Sequence, residues 1–190
     1  MNYPIIYVRG FALGKGAREE TANDPFQGFN QGSTRIHQNP NKKFKRHTFE
    51  SPLIRLMTEY NYEDGYQHGE LAQQPPRRPI YVHRYYEDKD GYPHNPSIEE
   101  AAQGLNDLIS DIRQRMVTTH SDVTEDNFKV YLVAHSMGGL IVRCFLQNSA
   151  VRAQQNVDAV EKVFTYGTPH GGITFFDGMN VPGYLSAENL

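Results

Sequence analysis

With 190 residues, a formal charge of −3 and a pI near 6.2, the chain can bury about 70% of its unfolded surface in one domain and carries no general attraction for nucleic acid or an anionic membrane. The single cysteine, Cys144, excludes an internal disulfide. No apolar run approaches the roughly 20 residues of a membrane span, and the N-terminus lacks the basic, apolar and small-residue succession of an export signal, so a cytoplasmic chain without stable membrane insertion is expected.

Four short runs rich in β-branched and aromatic residues, 3–8, 80–86, 128–134 and 160–166, read as strands. They are nearly continuously apolar, the pattern of a parallel sheet covered on both faces. The stretch 14–49 carries no regular signal and reads as a long irregular insertion, a pocket wall or a surface loop. Its cluster Lys42, Lys43, Lys45 and Arg46 reads as a solvated loop. Ser51-Pro52 then marks a helix start, with Leu53, Ile54, Leu56 and Met57 following. Residues 63–79 are polar, contain Pro75-Pro76 and read as a linker into the second strand. Ser97 and Glu100 form a capping box ahead of Ile98, Ala101, Ala102, Leu105, Ile109, Ile112 and Met116 at helical spacing, a stripe that reads as plain core packing. A further helix is predicted over 137–148, with Leu140, Ile141, Cys144 and Phe145 on its buried side. Strands alternating with helices in this way predict an α/β fold with right-handed crossovers.

The chemistry concentrates where the third strand ends. Val133-Ala134-His135-Ser136-Met137-Gly138-Gly139-Leu140 places a serine between small residues at a strand-to-helix junction, matching the nucleophile elbow G-x-S-x-G with Ala134 at its first small position. A serine on such a sharp turn stands at the carboxyl edge of the sheet, where ligands bind in open α/β sheets, and near a helix N-terminus that favours developing negative charge.

Two further segments accompany it: Pro4-Ile5-Ile6-Tyr7-Val8-Arg9-Gly10-Phe11, and Val163-Phe164-Thr165-Tyr166-Gly167-Thr168-Pro169-His170-Gly171-Gly172. Together the three segments resemble α/β-hydrolase lipases and esterases, in particular bacterial lipases with an Ala-His-Ser-Met-Gly-Gly elbow and the group that includes GPI inositol-deacylases. The resemblance implies a three-layer α/β/α sandwich around a mostly parallel sheet, and a serine hydrolase of carboxylic esters, small-molecule or lipidic, working through an acyl-Ser136 intermediate. It also implies an oxyanion hole formed by the backbone N–H groups of Phe11 and Met137. Arg9 departs from the histidine usual at that place. His170 corresponds to the Gly-Thr-Pro-His segment that shapes the edge of such sites, so it reads, like His135 beside the nucleophile, as a pocket residue.

Such an enzyme needs an acid and then a histidine after the serine. After Ser136 the sequence offers Asp158, Glu161, Asp177 and Glu188 but only one histidine, His170. The expectation is therefore one N-terminal, incomplete α/β-hydrolase domain over 1–190, truncated so that the acid and base lie beyond residue 190. A catalytically inactive, hydrolase-like binding protein is the alternative. No zinc-type Cys/His spacing and no glycine-rich phosphate loop occurs, so neither metal nor cofactor is expected, nor is a nucleic-acid partner.

Overall fold

The computed structural model describes residues 3–12, 14–87 and 94–172. Its elements are β1 (Ile5–Val8), α1 (Gly14–Asn23), β2 (Ser33–Gln38), β3 (Phe44–Phe49), α2 (Pro52–Tyr60), β4 (Glu63–Asp64), β5 (Tyr66–Gln67), β6 (Glu70–Leu71), β7 (Pro79–Val82), α3 (Ile98–Thr119), β8 (Val130–His135), α4 (Gly138–Gln147), α5 (Gln154–Asp158) and β9 (Val160–Tyr166). Five strands form one parallel sheet in the order β4-β7-β1-β8-β9. The α/β architecture expected from the alternation of strands and helices is present.

Strand β1 lies at the centre and is buried along its whole length. Its side chains alternate between faces, and the register carries that alternation across the sheet. Ile6 lies level with Tyr81 and Leu132, and Val8 with Ala134; these join the cluster built with Ala102, Leu105, Ile109 and Ile112 of α3 and Ile141 and Phe145 of α4. Ile5 lies level with Ile80 and Tyr131, and Tyr7 with Val82 and Val133; these pack with Leu53 of α2 and with Phe26 and Phe29. Helices thus cover both faces, which is why β1 and β7 read as unbroken apolar runs. Each large side chain buried this way contributes about 1.5–3 kcal/mol.

The helix starts follow the sequence. The Ser51 hydroxyl accepts from the backbone N–H groups of Leu53 and Ile54, and Ser97 with Glu100 closes a complete capping box. A buried polar network ties α3 to α5: the fully buried Asn156 amide donates to the Asn106 side-chain oxygen at 2.8 Å, and that oxygen also accepts from the Ala153 N–H at 2.8 Å.

Three stretches differ from the sequence reading. Residues 14–49, expected to be irregular, hold α1 and an antiparallel hairpin of β2 and β3. Helix α1 escapes pattern recognition because its sequence, GKGAREETAN, has no apolar stripe, and the hairpin because all twelve of its strand residues are exposed, so burial imposes no alternation. Residues 63–79, expected to be a linker, contribute the edge strand β4, whose Glu63 and Asp64 pair with Pro79 and Ile80 of β7, and a small β5–β6 hairpin. The second strand ends at Val82, and Tyr85 and Tyr86 lie in the turn that follows. No described helix is long and apolar enough to cross a membrane.

Candidate active site

Ser136 follows β8 directly and has φ 52°, a left-handed conformation that costs a non-glycine residue about 1 kcal/mol or more. Two hydrogen bonds hold the turn: the Ser136 N–H donates to the Tyr166 carbonyl at 3.0 Å, and the Gly139 N–H to the Ser136 carbonyl at 3.0 Å. Helix α4 begins two residues later, with Met137 as its N-cap. Among the described residues no backbone carbonyl accepts from the Met137 N–H. The serine thus stands, half-buried, at the carboxyl edge of the parallel sheet and at the positive end of α4.

The need for small residues here is geometric. A Cβ on Gly138 would lie 2.3 Å from the Val8 carbonyl oxygen and 2.5 Å from that of Arg9. One on Gly139 would lie 2.2 Å from the Thr168 hydroxyl, and one on Gly10 2.6 Å from the Ser136 Cβ. Ala134 is fully buried, small enough to take the place where the pattern usually has glycine. Segments remote in sequence, the end of β1, the start of α4 and the loop after β9, therefore meet at backbone contact around Ser136.

Residues 9–12 are fixed by two tyrosines from the turn after β7, the strand beside β1. The Tyr85 hydroxyl lies 2.8 Å from the Arg9 carbonyl and 3.0 Å from that of Gly10. The Tyr86 hydroxyl accepts from the Ala12 N–H at 2.8 Å and donates to the Gly10 carbonyl at 3.2 Å. Burial and its neighbour Tyr86 hold the Tyr85 phenol well above its ordinary pKa, so it stays a neutral donor. Phe11 is half-buried and packs against the cluster that contains α3 and α4. Sequence reasoning missed the two tyrosines because Tyr85 and Tyr86 continue an apolar run and look like strand; the available signal was their adjacent pair of hydroxyls just past the strand's carboxyl end.

The Arg9 guanidinium donates to the Gln27 carbonyl. It remains close enough to act electrostatically on the ring of His135. That imidazole is held below its ordinary pKa, first by partial burial and second by the Arg9 charge. His135 lies against Tyr166, ring centroids 4.9 Å apart. His170 is exposed, with Nε2 3.1 Å from the Thr165 hydroxyl and its carbonyl accepting from Arg143 at 3.2 Å. Among the described residues no histidine or carboxylate is hydrogen-bonded to the Ser136 hydroxyl. Asp158 and Glu161 lie at the opposite end of the sheet, before and at the start of β9. Asp177 and Glu188 lie outside the described residues.

No curated protein and no solved structure matches the chain. The model of the PGAP1-like alpha/beta domain matches residues 87–188, a span that contains α3, β8, Ser136, α4 and β9. This span exceeds half of the chain, and the fold around it is the parallel α/β sheet described above: the chain belongs to the PGAP1-like alpha/beta domain family, a lipase- and esterase-like group of α/β hydrolases.

Proposed function

We propose that the protein hydrolyses carboxylic esters, lipid esters foremost, with Ser136 as the nucleophile. The observation that carries this reading is the left-handed Ser136 at the junction of β8 and α4, packed so closely that neither Gly10 nor Gly138 has room for a side chain. Strained non-glycine backbone of this kind persists where the surroundings over-determine it, and it clusters at reactive residues.

In the proposed reaction the Ser136 oxygen attacks the ester carbonyl carbon while its proton passes to a base. The tetrahedral oxyanion accepts hydrogen bonds from the N–H groups of Met137 and Phe11, aided by the N-terminal end of α4. Collapse expels the alcohol, which takes up the proton, and leaves acyl-Ser136. Water then releases the acid by the same steps in reverse roles. His135 and His170 serve as residues of the pocket rim.

The base is where a second reading enters. None of the described histidines is bonded to Ser136, which favours a protein that binds an ester or acyl chain in a hydrolase-like pocket without turnover. Hydrolysis of a short-chain activated ester by the polypeptide purified from its source separates the two. The esterase reading expects turnover that falls by at least about 1,000-fold in Ser136→Ala. Turnover unchanged by Ser136→Ala contradicts that assignment, and binding without turnover in either form establishes the second reading.

A further inference from the structure

We propose that the β2–β3 hairpin is an arm that seats the protein on an anionic phospholipid surface. Residues 25–49 contain Arg35, Lys42, Lys43, Lys45 and Arg46 and no aspartate or glutamate, in a chain whose overall charge is −3. The hairpin sorts its side chains by face. Arg35 lies opposite His47, and His37 opposite Lys45, on one face; Ile36 opposite Arg46 and Gln38 opposite Phe44 lie on the other. On that second face Ile36 and Phe44 are diagonal neighbours, and they are 68% and 73% exposed. Among the described residues no carboxylate forms an ion pair with any of the five cations.

This arrangement works against the hairpin's own stability. Cationic side chains crowd one small exposed ribbon, two large apolar side chains gain nothing from water, and an isolated two-stranded ribbon is marginal on its own. An anionic lipid interface reverses each term: basic residues meet headgroup phosphates, and apolar residues enter the boundary beneath them. Nucleic acid would reward the cations alone and leave Ile36 in water, so the apolar pair decides for lipid.

The root of the arm is firmly placed. The Asp24 carboxylate accepts from the N–H groups of Phe26 and Gly28 at 2.9 and 3.0 Å, and Phe29 packs on Tyr7 with ring centroids 4.7 Å apart. The Arg9 guanidinium holds the Gln27 carbonyl, and the Ser51 hydroxyl donates to the Phe29 carbonyl. Arg9 directly follows the end of β1 and precedes Gly10, which touches Ser136. The arm therefore springs from the same edge of the sheet as the serine, and a membrane under the arm would lie on the site's side of the molecule. Arg9 thereby serves as the tether of the arm's root.

Co-sedimentation of the full chain with vesicles of phosphatidylcholine alone, or mixed with phosphatidylserine, tests this. Binding to the phosphatidylserine vesicles, weakened by salt and absent with phosphatidylcholine alone, is expected. Each Lys or Arg near such a surface is worth roughly fivefold in partitioning, so the combined Lys42→Glu, Lys43→Glu, Lys45→Glu and Arg46→Glu variant should lose at least about 100-fold. The Ile36→Ser, Phe44→Ser variant, with all charges kept, should lose at least about tenfold. Circular dichroism matched to the unaltered protein separates loss of binding from loss of fold. Ser136→Ala should bind vesicles unchanged, so this proposal stands or falls apart from the catalytic reading. Equal binding to both vesicle types, retention by the charge-reversed protein, or binding to an oligonucleotide without binding to vesicles would overturn it.

Discussion

Gly10 bears most directly on where the Ser136 hydroxyl sits. An added Cβ meets the serine Cβ at 2.6 Å, closer than a Cβ tolerates, and crowds the His135 carbonyl at 3.0 Å, so one of the two segments must move. The displacement falls on the reacting oxygen itself, and misplacement by about 1 Å can lower a rate on the order of 100-fold. Gly10→Ala should therefore reduce ester turnover by about that factor while lowering stability by only about 1–3 kcal/mol. An unchanged kcat/KM in a folded Gly10→Ala protein would remove the argument from close approach. The junction at Ser136 and Gly138 was legible in the sequence, because small residues at a strand-to-helix turn have a steric cause, whereas the approach of Gly10 to Ser136 shows only in the folded chain. Tyr85 and Tyr86 were not, because their role arises only when the end of β7 and the loop after β1 lie side by side.

At the scale of elements, legibility followed burial. Helix α3, with its capping box and long apolar stripe, and the strands β1, β8 and β9 stand close to where periodicity put them. The β2–β3 hairpin, α1 and β4 did not announce themselves: the hairpin buries none of its strand side chains, α1 has no apolar face, and β4 has only two residues. One buried residue joins two legible elements. His83, just after β7, is held by its Nε2 at 2.7 Å from the Ala101 carbonyl of α3. The carbonyl can only accept, so Nε2 carries a proton. Burial lowers its pKa to about 4, partly opposed by that hydrogen bond. Between pH about 6.5 and 4 the unfolded chain takes up a proton that the folded one refuses, so this histidine subtracts stability as pH falls. The loss at this residue between pH 7 and pH 5 should be about 2 kcal/mol. Urea midpoints at the two pH values, compared with those of His83→Gln, check it: the variant should show a shallower dependence, and equal dependence in both proteins would contradict it.

The molecule as a whole directs its chemistry to one side. A parallel sheet presents all its carboxyl ends together, and Ser136, the loop of residues 9–12, the two clamping tyrosines and the root of the basic hairpin all gather at or beside that edge. Family membership fixes the general type of the fold, an α/β hydrolase, but fold alone leaves the reaction open, so the serine has to be tested chemically. The most direct test is to react the purified polypeptide with a fluorophosphonate, which phosphonylates an activated serine as its hydroxyl proton and the fluoride leave, and to locate the adduct by peptide mass mapping. The account predicts one adduct, on Ser136, absent from Ser136→Ala and competed away by a lipid ester. An adduct on another residue, or labelling that survives Ser136→Ala, would contradict it.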